Sequence, residues 1–253
     1  MIRSISLLLG LLLLTGAAIR PDKPENLPPA EAAKQGRALV SEILAQQPAR
    51  GITNSGVLTI SRGRASRTVP IQFTVEAGGD SWRSTYQAFA VSNSTPSHTL
   101  IVKHDGANPN QYELIVRSGA DTNAAPKTLE GNETMIPFAG SDFWIADLGL
   151  EFFHWPDQRL LYSQIKRSRS CRVLESINPK PAPGVYSRVV SWIDNESSGI
   201  VHADAYDFNG KVLKQFDPKD FKKVDGEWQL EGMEIYDRVS DSRTRIEFDL
   251  DSK

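Results

Sequence analysis

The sequence predicts a mainly β fold of the α+β class, an antiparallel meander with an early helix and a short helical insertion in mid-chain. Three observations predict it. Short runs rich in β-branched and aromatic residues follow one another from Gly56 onward. Tight-turn signals separate them, with Asn-Gly inside Phe208–Lys211 and Asp-Gly inside Val224–Glu227. Within one run, Ile71, Phe73 and Val75 alternate with Gln72, Thr74 and Glu76, so one face is apolar and the other wet. A sheet with one apolar face must cover it. It can close into a barrel or curl around helices that fill the opening.

Taken in order, the first element is a leader. Arg3 supplies a positive start, Ile5 to Leu14 an apolar run, and Thr15 to Ala18 a small-residue stretch suited to cleavage. Residues 1–18 are therefore expected to be a secretory signal peptide. The alternative is an uncleaved anchor, although the apolar run is short for a membrane span. Residues 19–29 carry four prolines and read as an extended linker. A single domain is expected over 30–253. It begins with a helix over Ala30–Gln47, where Ala32, Ala33, Leu39, Val40, Ile43 and Leu44 make an apolar stripe at helical period. Pro29 suits its first turn and Pro48 stops it.

Five strand candidates follow, GVLTISRG, TVPIQFTVEA, SWRSTYQAFAVS, HTLIVKH and QYELIVRS. Asp121 to Thr134 is polar and reads as a loop. After the insertion come LLYSQIKRS and CRVLESI, a hairpin turning through Arg167 to Ser170. VYSRVVSWID, GIVHADAYDF, KVLKQFD, DFKKVDG, EWQLEGMEIYDR and TRIEFDL complete the meander, with a polar turn at Ser240 to Ser242.

The insertion, GSDFWIADLGLEFFHWPDQRLL, concentrates Phe143, Trp144, Phe152, Phe153 and Trp155 between Gly140 and Leu161. Ser141 and Asp142 can cap a helix start. Gly149 interrupts the run and Pro156 ends it, so two short helical turns are expected. The apolar residues point several ways, as in an element buried on most sides. Three readings stand: a core plug, a lid whose inner face touches a bound ligand, and a membrane-contact surface. The third fits poorly, because the segment has no lysine and its one arginine, Arg159, lies near the end. The candidate cavity or lid residues are Leu39, Ile43, Phe143, Trp144, Leu148, Leu150, Phe152, Phe153 and Trp155.

The motifs GSDFWIADL (140–148), CRVLESINP (171–179), YSRVVSWID (186–194), AYDFNGKVLKQF (205–216), FKKVDGEWQLEGMEI (221–235) and SRTRIEFDL (242–250), in this order, resemble the outer-membrane lipoprotein-sorting family, the LolA/LolB-like periplasmic carriers. The resemblance implies an unclosed, strongly curved antiparallel β-barrel with short helices plugging or covering the opening. It implies a periplasmic location and an apolar cavity that holds acyl chains of lipoproteins or another lipid-like ligand. It also admits a sensor or binding module for an inner- or outer-membrane protein partner.

No catalytic constellation accompanies these features. The four histidines lack metal-ligand spacing, and no nucleophile elbow, P-loop or zincin motif occurs. Asp194 and Glu196 flank a turn and are expected to be solvated. The single cysteine, Cys171, cannot form an intramolecular disulfide and opens an apolar run, which suits a buried structural thiol. A formal net charge of −2 gives no basic field for nucleic acid. A monomer without cofactor or metal is expected.

Overall fold

The computed structural model describes residues 27–79, 81–90, 95–117, 124–224 and 227–250. The expected signal peptide, most of the linker and the Asp225-Gly226 turn lie outside them. Helix α1 spans Pro29–Leu44 and buries Ala32, Gly36, Leu39 and Val40 along one face. It starts one residue before the expected position and ends three before Gln47, well short of Pro48.

Six strands follow: β1 Ile52–Arg62, β2 Ala65–Gly78, β3 Ser81–Phe89, β4 Pro96–His104, β5 Gln111–Val116 and β6 Lys127–Leu129. After the insertion come β7 Asp157–Lys166, β8 Arg169–Ile177, β9 Arg188–Asp194, β10 Ile200–Tyr206, β11 Val212–Val224, β12 Glu227–Asp237 and β13 Ser242–Phe248. All thirteen belong to one antiparallel sheet in the order β6-β5-β4-β3-β2-β1-β13-β12-β11-β10-β9-β8-β7. The first and last strands lie side by side near its middle, in register from Gly56↔Phe248 to Arg62↔Ser242. Two wings extend from that seam. Their outer edges, β6 and β7, are joined by chain and by no ladder, so the curved barrel is unclosed.

Two sequence expectations change. The polar stretch 121–134 contains the short strand β6 and a 3-10 turn, Gly131–Thr134. KVLKQFD and DFKKVDG form one strand, β11, broken in register around Pro218 and Asp220. Proline cannot donate to a ladder, and a bulge is where a sheet tolerates it. Further register shifts at Leu160/Tyr162, Ile200/His202 and Ala205/Tyr206 lie in the same wing. Bulges bend and twist a strand, and the other wing has its own shift at Ala88/Phe89. The β7–β8 turn places Arg167 and Ser168 both at positive φ, as a two-residue hairpin turn requires.

Turns of a meander alternate between its two ends. The turns β7–β8 and β9–β10 lie at one end, with the paired ends of β11 and β12 at Val224 and Glu227, and the turns β8–β9, β10–β11 and β12–β13 lie at the other. Two cores lie on the inner face. The inner sides of β1 to β5 pack on Phe138, Phe143, Ile145 and Leu148 of the insertion. Helix α1, through Leu39 and Val40, packs with Phe152, Phe153 and Trp155 against β8 to β10. A small outer cluster holds Cys171, Val173, Val190 and Trp192; Cys171 is fully buried, and burial pushes its thiol pKa up.

Helix α1 reaches the β7 edge at Gly36. A Cβ there would stand 2.6 Å from the backbone of Gln158 and Arg159. The substitution Gly36→Ala should therefore destabilise the protein by about 1–3 kcal/mol, the usual cost of overpacking, although alanine is the better helix former. A lowered urea-unfolding midpoint checks this; an unchanged or raised midpoint would show that α1 seats more loosely.

Candidate functional site

The insertion runs from one sheet edge to the other through the inside of the curve. Its first turn folds Phe138 onto Phe143, with the Phe138 N–H donating to the Phe143 carbonyl at 2.8 Å. Ala139 and Gly140 sit there at positive φ, and Arg67 of β2 donates to both of their carbonyls at 3.1 Å. Helix α2, Ile145–Leu148, and a 3-10 turn, Glu151–His154, are the two short helical pieces.

Asp142 does not cap α2, contrary to the sequence expectation. Its carboxylate accepts from Ser242 Oγ at 2.5 Å and Thr244 Oγ1 at 2.7 Å, fastening the insertion to β13. The cap role falls to Asp147, which accepts the Trp144 N–H at 2.8 Å and the Tyr186 hydroxyl at 3.0 Å. Lys214 rises from β11 beneath this turn. Its ammonium donates to the Asp142 carbonyl at 2.6 Å, lies 3.7 Å from the Trp144 ring centroid and stands 3.9 Å from Asp147. Burial pushes Lys214 down to about 8, opposed by Asp147, while burial pushes Asp147 up against the pull of Lys214. Trp144 stacks on Tyr186 at 4.5 Å, so the cation, the two rings and the carboxylate form one buried unit.

The first wing holds the far half. Tyr86 Oη donates to the Leu148 carbonyl at 3.2 Å, and Asn110 Nδ2 to the Gly149 carbonyl at 2.8 Å. Tyr112 Oη donates to Glu151 at 2.9 Å. Gly149 is required by this approach, since a Cβ would lie 2.3 Å from the Tyr112 hydroxyl. The left-handed residue between the two helical pieces is Leu150, with φ 51°. Gln158 of β7 closes the segment, donating to the carbonyls of Phe152 and Trp155 while Ser176 Oγ donates to its oxygen.

Between the insertion and the open end lies a cavity of about 1150 Å³. Phe143, Leu148 and Leu150 form its floor. Phe73 and Tyr86 face it from the first wing, and Phe216, Leu230, Met233 and Phe248 from the second. Its mouth carries Arg167, Arg169, Asp194, Glu196, Ser197 and Lys219. Of the sequence candidates, Phe143, Leu148 and Leu150 stand on this wall. Phe152 borders, with Leu150, a separate void of about 20 Å³. Leu39, Phe153 and Trp155 are buried in the core with α1, Ile43 is half-buried against it, and Trp144 covers Lys214. The wing residues were readable only as inward positions of alternating strands, and the polar fasteners carry no local signature.

Asp194 is not solvated as expected. Its side chain is buried, accepting from the Ser197 N–H at 3.1 Å, Ser197 Oγ at 2.7 Å and Arg169 at 3.3 Å. A β-strand end and turn enclose it, while Glu196 in that turn stays exposed. Among the described residues, no group of three or more His, Cys, Asp or Glu side chains is placed to share a metal ion.

An unclosed, curved sheet wrapped over a helical plug is the fold of the outer-membrane lipoprotein-sorting proteins. A putative outer membrane lipoprotein-sorting protein domain from Vibrio parahaemolyticus superposes with a TM-score of 0.71 at 17% identity, over 86% of the chain and 92% of that structure. A DUF1329 family protein from Desulfovibrio piger gives 0.68 at 19% identity, over 86% and 91%. A LolA superfamily protein from Nitrosomonas europaea gives 0.57 at 15% identity, over 87% and 92%. The chain belongs to the family whose model, described as that of an uncharacterized protein, matches residues 123–250. No curated protein matches it.

Glu151 makes the plug sensitive to pH. Burial raises its pKa from 4.5 to about 7, opposed by the Tyr112 hydrogen bond. The folded state therefore binds this proton more tightly than the unfolded state, and stability falls as pH rises from about 4.5 to about 7. The loss is at most on the order of 3 kcal/mol. Replacing Glu151→Gln should flatten that slope while keeping an acceptor for Tyr112. Urea unfolding of both proteins at pH 4.5 and 7.5 checks it, and a parallel slope in the variant would place the effect elsewhere.

Proposed function

We propose that the protein is a non-catalytic periplasmic carrier or binding module, a single domain over 30–253 that acts as a monomer. It holds acyl chains of lipoproteins, or another apolar ligand, between the two wings. The observation that carries this reading is the apolar cavity of about 1150 Å³ over the plug, open at one end of the sheet. Small-molecule pockets are commonly about 300–1,000 Å³, so the space suits a bulky guest. The lipoprotein-sorting description of the Vibrio parahaemolyticus domain and the LolA description of the Nitrosomonas europaea protein support the class of guest.

Burial supplies the binding energy. Each methylene removed from water contributes about 0.8 kcal/mol, so a chain of about twelve contributes about 10 kcal/mol before the costs of association. No nucleophile or acid–base pair is needed. The two buried carboxyls at the wall are engaged structurally, Asp147 by Tyr186 and the Trp144 N–H, Asp194 by Ser197 and Arg169. Release requires a receiving site that binds the chain more strongly, or a movement of the wings that exposes it to water.

A fluorescent fatty-acyl probe should bind the mature protein saturably, and protein purified from the periplasm should carry extractable lipid detectable by mass spectrometry. Leu230→Trp, which fills part of the wall, should weaken probe binding by tenfold or more while the unfolding midpoint is retained. Absence of both probe uptake and co-purifying lipid in folded protein would overturn the proposal.

A further inference from the structure

We infer that the guest of this cavity is an anionic amphiphile, with its tail between the wings and a carboxylate or phosphate head at a cationic rim formed by Arg167, Arg169 and Lys219. The inference rests on the carrier reading and adds the polarity and orientation of the ligand.

The cavity is not apolar throughout. Its floor and walls are aliphatic and aromatic, and its charges gather at the mouth. Three cations reach it from two elements. Arg167 lies in the β7–β8 turn, Arg169 opens β8, and Lys219 follows the Pro218 bulge of β11. Arg167 Nη1 donates to the Pro218 carbonyl at 3.1 Å, which ties the two elements together at the rim.

Four acidic groups stand near these cations, Asp194 and Glu196 in the same lining, and Asp217 and Glu234 off it. Asp194 is only 4% exposed, and its oxygen is already taken by Ser197 and Arg169. Glu196 has an 89% exposed side chain, which places its charge in solvent. Asp217 lies off the wall, held by Arg167 at 2.7 Å and His202 Nδ1 at 2.5 Å.

Arg169 and Lys219 keep donors to spare, while Arg167 is closely paired with Asp217. A charge-assisted N–H···O bond is about 2.7–2.9 Å long. The ion pairs of Lys219 are 3.8 Å to Asp217 and 3.4 Å to Glu234, and those of Arg169 are 3.3 and 3.9 Å. A guanidinium has five N–H donors in a fork that matches carboxylate or phosphate. Depth fixes the orientation. The polar group at the floor is Asp147, whose oxygens are already taken by the Trp144 N–H and the Tyr186 hydroxyl, so it offers an anionic head no donor. A head at the mouth and a tail toward Phe143 and Leu148 is the arrangement that leaves no charge in the apolar part. A cationic head has no acceptor to offer these donors, and an uncharged hydroxyl accepts from them more weakly than an anion does.

The test is competition against a neutral fluorescent acyl probe by hexadecanoate, hexadecyl phosphate and hexadecanol, using the full mature chain at low and high salt. Both anions should outcompete the alcohol by tenfold or more at low salt, with the margin shrinking as salt screens the rim. The double substitution Arg169→Gln with Lys219→Gln should reduce that margin severalfold, and adding Arg167→Gln should bring the anions to the level of the alcohol. The double variant keeps the test valid if loss of the Arg167–Pro218 contact unfolds the triple. A phosphate advantage over carboxylate would assign the head to a phospholipid, and the reverse to a fatty acid. Equal binding of alcohol and anions by the unsubstituted protein, or equal loss of all three ligands in the variants, would overturn the inference while leaving the carrier reading intact. Failure of all three to bind folded protein would overturn the carrier reading itself.

Discussion

Lys214 is the contact on which the rest of the structure depends. A sheet whose edge strands do not pair must hold its inner segment by other means, and this cation does so from the second wing. It ties a backbone carbonyl, an indole face and a carboxylate of the insertion to β11. Desolvating an ammonium is costly, and only a full set of partners offsets it. Lys214 therefore requires Asp142, Trp144 and Asp147 to sit where they do. Asp142 in turn engages Ser242 and Thr244 of β13, beside the seam where the two wings join.

With the plug fixed this way, the two ends of the curved sheet become different surroundings. Arg67 and Asp142 secure the insertion toward the end that holds the β1–β2 and β12–β13 turns. At the other end the β7–β8 turn and the strands β11 and β12 stand over unfilled space. The bulges that bend β10 and β11 bring Phe216 and the strands beside it over Phe143, whose ring meets Phe216 edge-on at 6.3 Å. The plug is thus core on one side and cavity floor on the other. Phe153 and Trp155 belong to the first surface, Leu148 and Leu150 to the second.

Much of the architecture was legible in the residues. Alternation at Ile71, Phe73 and Val75, the Asn-Gly turn and the α1 stripe are local patterns, because strand and helix periods are set by the chain's own geometry. Capping and bulging were misread where distant partners decide the outcome. Asp142 has the chemistry of a helix cap, yet two hydroxyls of β13, about a hundred residues further on, take its oxygens. Gly149 looks like a helix breaker, yet its absent side chain serves the Tyr112 ring, and the left-handed turn falls on Leu150. KVLKQFD and DFKKVDG look like two strands, because nothing local says that a ladder can continue past Pro218.

By itself, the sequence determined the class of fold, the strand-turn order and the place of the aromatic insertion, since hydrophobic period and turn chemistry act over a few residues. Tertiary structure alone decided which aromatics are packed and which face open space, how the wings curl, and where the charges of the cavity gather. Those outcomes depend on residues far apart in the chain, brought together only when two unpaired sheet edges are spanned by one buried segment.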